Sequence, residues 1–372
     1  MFYQQEYKKQ ILFILLIFIF ILFLSSCSGM SVDTESFFTM DTIAESTVIT
    51  KKAETGKEAN EKIKEICNNI ENLISNTVET SEIYKINDEL SDTNNDIIYN
   101  ISKETADILE TAKYMKEQTK GAFNPNLGEI IDLWGINKNI NNEERKLPEK
   151  ASFYPALEKF KAFDYKINHN LDGDSFLVIG TPLPKFDLGA VGKGYAIDKI
   201  SDYLIESGIS HALVSFSSSI LAIGKNKTNN LWNIGLKDPI NPSEICGYLS
   251  ATDKIISVSG GYERFIQINE YTYCHIIDPE TGYPVDNDLL CVVVVMNAQS
   301  ALKQNNNFNK NGAISDALST ALYVMGKEKA LDFYNNSSID FEMILFVKKD
   351  IEDISQGYDI IPTNVIFNEI TK

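Results

Sequence analysis

Histidine, cysteine and basic side chains are scarce in this sequence. The 372 residues include three His and five Cys, and 34 Lys and Arg stand against 52 Asp and Glu, which gives a net charge of −18. Because nucleic-acid binding needs clustered positive charge, this balance argues against nucleic acid as the main partner. The cysteines have no CxxC spacing and no His partners at zinc-site spacing, so a zinc site is not predicted either.

No apolar run is long enough to indicate an ordinary membrane-spanning helix. The run Ile11–Leu24 has 14 residues, short of the ~20 that cross a bilayer core. It follows Lys8 and Lys9 and is typical of a signal peptide. The next residues, Ser25-Ser26-Cys27, resemble the end of a bacterial lipoprotein signal, in which Cys27 is lipidated and becomes the mature N-terminus. An uncleaved anchor helix is the alternative, and both interpretations place the rest of the chain outside the cytoplasm.

The sequence therefore predicts three segments. Residues 1–26 form a signal peptide, 27–36 a lipidated tether on the outer face of the cell membrane, and 37–372 one large domain. The four cysteines of that domain are expected to be buried free thiols, although an exported location permits disulfides.

Apolar periodicity within 37–372 predicts a mixed α and β chain. A strand is expected at Phe37–Thr50. Helices are expected at about 58–75, 103–119, 192–206 and 314–325, and short strands at 212–216, 220–223, 255–258, 265–268, 290–296 and 343–347. Because strands and helices do not alternate steadily, the expected fold class is α+β, with largely antiparallel sheets and packed helices.

A glycine-rich segment, Asp187–Ala196, leads into the third predicted helix. Its glycines let the backbone approach a ligand, and free amides at Gly192–Gly194, next to the positive charge of Lys193, favour a phosphate. Gly194 stands where a Walker A loop has Ser or Thr, so that loop is not predicted. An ordinary strand–turn–helix connection is the other interpretation.

Three further segments contain residue types that can act in catalysis or in ligand binding. His275 and Asp278 precede a Gly/Pro turn that can hold polar groups at a sheet edge, although a lone His is more often structural. Asp316 and Thr320 share a helix face and offer oxygen ligands suited to Mg²⁺, although an Asp near a helix start gives the same pattern. The segment Gly121–Gly128 places an aromatic ring beside a loop, which suits stacking on a flat ligand or ordinary packing.

In this order and spacing, the four segments resemble the FAD:protein FMN transferases, the ApbE family. The resemblance includes Met40-Asp41-Thr42 and Ser259–Arg264, and it runs from about Phe37 to Lys348. It implies an ApbE-like (T-fold-like) domain that transfers FMN from FAD to a Thr hydroxyl of an exported protein and releases AMP. Many members are lipoproteins, which matches Cys27.

The resemblance also implies site residues. The FAD site would be lined by Met40, Ala122, Phe123, Asn124, Asp187, Lys193 and Ile277. Mg²⁺ would be held by the Ala190 carbonyl, the Asp316 carboxylate and the Thr320 hydroxyl. His275 matches a functionally important His of the family, and we predict that it removes the acceptor proton, since an ordinary imidazole pKa of ~6.5 suits a base near neutral pH. Orientation of the flavin or the phosphate is the alternative role.

The sequence departs from the family at three places. Ser217-Ser218 stands where Gly-Gly is usual, Asn124 where Asp is common, and Thr77 where many members have Tyr. Two other functions follow from the same site: an Mg²⁺-dependent FAD pyrophosphatase with water as the acceptor, and a non-catalytic flavin-binding lipoprotein.

Overall fold

The computed structural model describes residues 29–90, 97–137, 145–180, 184–298, 310–351 and 353–370. Cys27 and the expected signal peptide lie outside these ranges. Of the helices within them, none has the length and apolar character needed to cross a membrane.

The strands belong to one large sheet and three small ones. In chain order they are β1 (Ser31–Thr39), β2 (Thr42–Thr50), β3 (Ile97–Ile101), β4 (Tyr165–His169), β5 (Ser175–Ile179), β6 (Ala212–Ser215), β7 (Ser219–Ile223), β8 (Trp232–Lys237), β9 (Ile245–Ala251), β10 (Lys254–Gly260), β11 (Phe265–Ile268), β12 (Tyr271–Cys274), β13 (Leu289–Asn297), β14 (Glu342–Lys348), β15 (Tyr358–Pro362) and β16 (Phe367–Glu369). The large sheet has the order β1-β2-β6-β7-β10-β13-β14-β15, and each neighbouring pair is antiparallel. The small sheets are β3-β5-β4, β16-β9-β8 and the hairpin β11-β12.

The helices pack mainly on one face of the large sheet. They are α1 (Ala53–Ile74), α2 (Glu82–Leu90), α3 (Lys103–Gln118), α4 (Gly128–Trp134), α5 (Lys150–Ala162), α6 (Gly189–Glu206) and α7 (Asn311–Asn336), with a 3₁₀ turn at Ile354–Gln356. Strand β13 shows why both faces of the sheet are covered. Val292 and Val294 pack in the core that includes α1, α3, α6 and α7, whereas Val293 and Val295 pack against β8 and β9. An unbroken apolar strand follows from this two-sided burial.

The α+β fold class is confirmed, since helices pack on largely antiparallel sheets. The four predicted helices and six short strands are all present, with ends that differ by a few residues; the last helix, however, continues through a kink at Gly326 to Asn336. Cys67, Cys246, Cys274 and Cys291 are free thiols, and all but the half-buried Cys274 are buried.

Two predictions at the N-terminal side of the domain are wrong. Phe37–Thr50 is not one strand, because a turn at Met40 and Asp41 divides it into β1 and β2. The domain also begins earlier than residue 37, since Ser31–Ser36, assigned to the tether, belong to β1 and pair with β2. Met40 is not a turn-forming residue type, so Asp41 alone indicates a turn here, and the β-branched residues on both sides favour a continuous strand.

Candidate active site

The residues that the sequence analysis assigns to a site lie around one cavity of about 390 Å³. Its walls come from the β1–β2 turn, the loop before α4, the start of α6, the end of β10, the segment after β12 and the first half of α7. All eleven assigned residues of the domain line it: Met40, Ala122, Phe123, Asn124, Asp187, Ala190, Lys193, His275, Ile277, Asp316 and Thr320.

The carboxylate of Asp316 lies against α6, the helix that also bears Ala190. Its Oδ2 accepts a hydrogen bond from Gly194 N at 3.0 Å and its Oδ1 accepts one from Ser219 Oγ at 3.2 Å. Both donors are neutral, and the residue is 4% exposed. The ion pairs found among the described residues do not include Asp316. A buried carboxylate without a positive partner is costly, so this position suits a cation.

The donor atoms available here are oxygens of three kinds. Ala190 offers a backbone carbonyl and Thr320 a hydroxyl, in addition to the Asp316 carboxylate. Within the described ranges, no group of three or more His, Cys, Asp or Glu could hold a metal ion. A hard cation such as Mg²⁺, which keeps positions for water and substrate phosphate, therefore fits this donor set better than a softer metal.

Close packing between α6 and α7 puts Asp316 in its position. A Cβ at Gly194 would lie 2.0 Å from the Gly312 carbonyl oxygen, so this approach requires glycine. The buried Asp198 of α6 accepts hydrogen bonds from the amides of Gly312 (2.8 Å) and Ala313 (2.9 Å) at the start of α7. Burial raises the pKa of Asp198 to about 7, and these two amide bonds oppose that rise.

The start of α6 differs from the prediction. The helix begins at Gly189, so the Gly192 amide already donates to the Leu188 carbonyl at 2.9 Å, and the Gly194 amide donates to Asp316. The predicted phosphate cradle of free amides at Gly192–Gly194 is therefore wrong, because two of those amides are already bonded. The half-buried Lys193 lines the cavity as expected.

Asp187 closes the loop that precedes α6. Its Oδ2 accepts hydrogen bonds from the side-chain amides of Asn76 (2.8 Å) and Asn137 (3.1 Å), and its Oδ1 accepts one from the Gly189 amide at 2.9 Å. Its own amide donates to the Pro125 carbonyl at 2.7 Å. Asp187 thus joins the two loops that hold the predicted flavin residues.

The β1–β2 turn presents Met40 to the cavity in an unusual backbone conformation. Met40 and Asp41 both have positive φ, 48° and 56°, as a two-residue hairpin turn of this hand requires. Glu71 of α1 holds the turn, since its carboxylate accepts hydrogen bonds from Met40 N at 3.0 Å and Thr39 Oγ1 at 3.1 Å. Strained residues of this kind persist where the surrounding structure fixes them, as it does at many functional sites.

Ser217, at the departure from the family's Gly-Gly pair, also has a positive φ, of 64°. Among the described residues, the exposed Ser217 side chain accepts one long hydrogen bond, from Thr42 Oγ1 to its Oγ at 3.5 Å. The backbone here therefore adopts a conformation that glycine reaches easily and serine reaches at a cost. The left-handed backbone conformation is present here, although serine stands at the position where the family usually has glycine.

Ser217→Gly is expected to stabilise the protein by about 1 kcal/mol, because it relieves the left-handed strain at the expense of some chain entropy. The free energy of unfolding from urea titration measures this. Ser218→Gly is the matched control, since Ser218 is not among the described residues with positive φ, and we expect it to be neutral or destabilising. Equal effects of the two variants would contradict the strain argument.

His275 is half-buried, and its ring is held by the backbone of Arg264. His275 Nδ1 lies 2.8 Å from the Arg264 carbonyl oxygen, which can only accept, so Nδ1 carries the proton and Nε2 has the free lone pair. Desolvation lowers the pKa of His275 to about 4; the Arg264 carbonyl opposes this shift, while the charges of Arg264 and Lys193 add to it. The expected imidazole pKa near neutrality is therefore wrong for this environment, and the ring is neutral at physiological pH.

The segment after His275 is held by Trp134. Trp134 Nε1 donates to the Gly282 carbonyl at 2.8 Å, and its ring contacts those of Tyr273 and Tyr283. Trp134 thus contributes to this site by packing, while Phe123 and Asn124 of the predicted segment Gly121–Gly128 line the cavity itself.

Sequence reasoning did not assign several polar side chains of the cavity wall, among them Lys237 and Asn137. Lys237 ends β8, where buried and exposed residues alternate, and nothing local distinguishes it from a solvent-facing strand residue. Asn137 follows α4, which was not predicted. At neither position does the neighbouring sequence indicate that the side chain lines a site.

The ApbE family matches residues 40–345 of the chain. FAD:protein FMN transferases from Treponema pallidum, Haemophilus influenzae and Escherichia coli are 30%, 24% and 25% identical to it. Those alignments cover 60%, 74% and 82% of this chain, and 60%, 77% and 82% of the relative. The match thus spans less than two thirds of the Treponema relative.

Solved structures show the same fold. The flavin transferase ApbE from Vibrio cholerae superposes with a TM-score of 0.71 at 20% identity, over 90% of this chain and 98% of that one. The ApbE protein from Thermotoga maritima gives 0.72 at 26% identity, over 90% and 97%. With the family match across most of its length and the assigned residues around one cavity, this chain belongs to the ApbE family.

Proposed function

We propose that this protein is an enzyme that transfers FMN from FAD to a threonine hydroxyl of an exported protein, with Mg²⁺ as cofactor and AMP as the second product. The observation that carries the proposal is the meeting of the oxygen donors Asp316 and Thr320 with His275 at one cavity. The relatives' shared name, FAD:protein FMN transferase, supports the flavin substrate and a protein acceptor.

The charges of the cavity wall support the need for a cation. The lining includes four acidic and three basic side chains: Asp41, Asp187, Glu263, Asp316, Lys193, Lys237 and Arg264. The diphosphate of FAD adds two more negative charges, which these basic groups cannot offset alone. Mg²⁺ at Ala190, Asp316 and Thr320 would supply the missing charge and polarise the phosphate under attack.

We assign proton removal to Nε2 of His275, which is unprotonated at neutral pH. The acceptor Thr oxygen forms a bond to the FMN phosphorus, the phosphoanhydride bond to AMP breaks, and the Thr proton passes to Nε2. Transfer of this kind depends mainly on positioning and on stabilisation of charge. Lys193 and Arg264 are the nearby cations that stabilise the phosphates and the departing AMP.

One assay tests the proposal against its alternatives. The full chain is mixed with FAD, Mg²⁺ and a protein that contains a Ser/Thr-Gly-Ala-Thr acceptor motif, and AMP release and acceptor mass are followed together. Transfer gives both AMP and an acceptor heavier by one FMN minus water. AMP without the mass gain would indicate an FAD pyrophosphatase, and bound FAD without AMP a flavin-binding protein; either result contradicts the proposal.

We further propose that Cys27 is lipidated and anchors the domain to the extracytoplasmic face of the cell membrane, after removal of residues 1–26. The support is the Ser25-Ser26-Cys27 motif behind an apolar run of signal-peptide length. Strand β1 begins at Ser31, so four residues, Cys27 to Met30, would separate the lipid from the first strand.

In a bacterial host grown with labelled palmitate, the wild-type chain is expected to take up label and to lose residues 1–26, whereas Cys27→Ser takes up no label. Ser28→Ala, at the adjacent residue, is the matched control and is labelled as the wild type is. Label on the Cys27→Ser variant would contradict lipidation at this position.

A further inference from the structure

Thr320, assigned as a ligand of the cation, is held by two buried serines that the family assignment does not include. Ser259, at the end of β10, lies 3.2 Å from Thr320, oxygen to oxygen, and 2.8 Å from Ser319. Ser319, which is fully buried, donates to the Asp316 carbonyl oxygen at 2.9 Å. We call Ser259, Ser319 and Thr320 the hydroxyl chain.

Chemistry fixes the direction of every bond in the hydroxyl chain. A carbonyl oxygen can only accept, so the single hydrogen of Ser319 goes to Asp316. Ser319 must then accept from Ser259, which uses the single hydrogen of Ser259. Ser259 therefore accepts from Thr320, so the hydrogen of Thr320 is directed at Ser259 Oγ, which itself borders the cavity.

These bond directions determine whether Thr320 Oγ1 offers a hydrogen or lone pairs to a cation in the cavity. Its other nearby partner, the Asp316 carbonyl oxygen at 3.5 Å, is also an acceptor, so both contacts take the hydrogen of Thr320 onto an oxygen of the protein. The half-buried Thr320 thus presents lone pairs to the cavity, as a cation ligand requires. A freely rotating hydroxyl would present its hydrogen for part of the time and repel the cation.

We propose that Ser259 and Ser319 are positioning residues, which orient the Thr320 hydroxyl for Mg²⁺. The inference rests on the proposed function, since it concerns the same cation site. Partners that orient metal ligands typically affect metal affinity by about 10- to 100-fold, and we expect the lower end, because one ligand of three is affected.

The same strand and helix offer a matched control. Ser257 lies two residues before Ser259 on β10, is fully buried, and accepts a hydrogen bond from Ser315 of α7 at 2.6 Å. This pair resembles the hydroxyl chain in burial, but neither residue lines the cavity or contacts Thr320. Loss of the Ser257 hydroxyl therefore reports the cost of removing a buried hydrogen bond alone.

Mg²⁺ binding to the full chain without FAD, measured by titration calorimetry, tests the proposal. Ser259→Ala is expected to weaken Mg²⁺ binding by about tenfold. Ser319→Ala is expected to weaken it as well, since Ser259 can then donate its hydrogen to Thr320, which releases the Thr320 hydrogen towards the cavity. Ser259→Thr, which keeps a hydroxyl, and Ser257→Ala are expected to bind as the wild type does. Thermal unfolding of each variant verifies that it is folded.

Equal Mg²⁺ affinities for Ser259→Ala and Ser257→Ala would overturn the inference. If Ser259→Ala does not fold, Ser319→Ala decides, because Ser319 lies outside the cavity wall and cannot contact the ion itself. A wild-type Mg²⁺ affinity of Ser319→Ala would then overturn the inference. FMN transfer by the wild type, with no affinity change in the variants, would refute this inference alone. The expected affinity changes without any FMN transfer would refute only the proposed function.

Discussion

Asp316→Asn is expected to lower the rate of Mg²⁺-dependent FMN transfer by about 1,000-fold or more. Charge stabilisation by a bound divalent ion contributes several kcal/mol to a transition state, and each 1.36 kcal/mol changes the rate tenfold. Asp316 is the only acidic side chain in the proposed donor set of the described chain. The amide of Asn leaves an oxygen ligand but removes the charge that holds the ion.

Asn is chosen so that a loss of activity reports the loss of the Asp316 charge and not a loss of folding. Asn retains the shape of Asp and one oxygen that can accept from Gly194 or Ser219, whereas Ala would leave both buried donors unpaired. Asp332→Asn, at an exposed position of the same helix, is the matched control and should transfer FMN normally. Rates are measured across an Mg²⁺ titration, together with thermal unfolding. A folded Asp316→Asn enzyme with wild-type activity and wild-type Mg²⁺ dependence would exclude Asp316 as a ligand.

The residues of the site were predictable because they occur in short motifs. Asp187 with Lys193, His275 with Ile277, and Asp316 with Thr320 are each close in sequence, so local spacing and the family resemblance identify them without any tertiary information. Apolar periodicity likewise identifies the long helices and the central strands, because both are buried against a continuous core.

What local patterns miss depends on contacts between distant parts of the chain. Asp198 and the start of α7 are 114 residues apart, and only their hydrogen bond explains where Asp316 lies. Helix α5 was missed because it contains Pro155, and α4 because it has only seven residues. The position of Lys237 at the cavity and the turn at Met40 both depend on contacts between strands, so the local sequence does not reveal them.

The pKa of His275 is the clearest case of a property set by tertiary structure. The residue type predicts a base that titrates near pH 6.5, and the predicted role of His275 rests on that value. Burial and the charges of Arg264 and Lys193 instead favour the neutral ring down to about pH 4. A neutral imidazole is what proton removal requires, so the role is kept although the reason for it changes.

His275→Gln is expected to lower kcat/KM for FMN transfer by about 10²- to 10⁴-fold, the usual contribution of a positioned general base. Gln can still donate a hydrogen bond to the Arg264 carbonyl, but it cannot accept a proton. In the wild type the base is lost as protonation proceeds, that is, as pH falls through its pKa. The acid limb of the kcat/KM profile assigned to His275 should therefore lie near pH 4, and activity should not fall between pH 7 and pH 5 on its account.

The matched control is His211→Gln, because His211 does not line the cavity and its ring bonds, among the described residues, to the backbone of Lys225. That variant should keep the wild-type rate and pH profile. Because kcat/KM reports the free enzyme, NMR titration of labelled His275 without FAD should give the same midpoint as the kinetic limb. If His275→Gln transfers FMN at the wild-type rate, the acceptor proton leaves by another route; if the limb and the NMR midpoint both lie near pH 6.5, the ring is more solvated than its half-buried position against Arg264 implies.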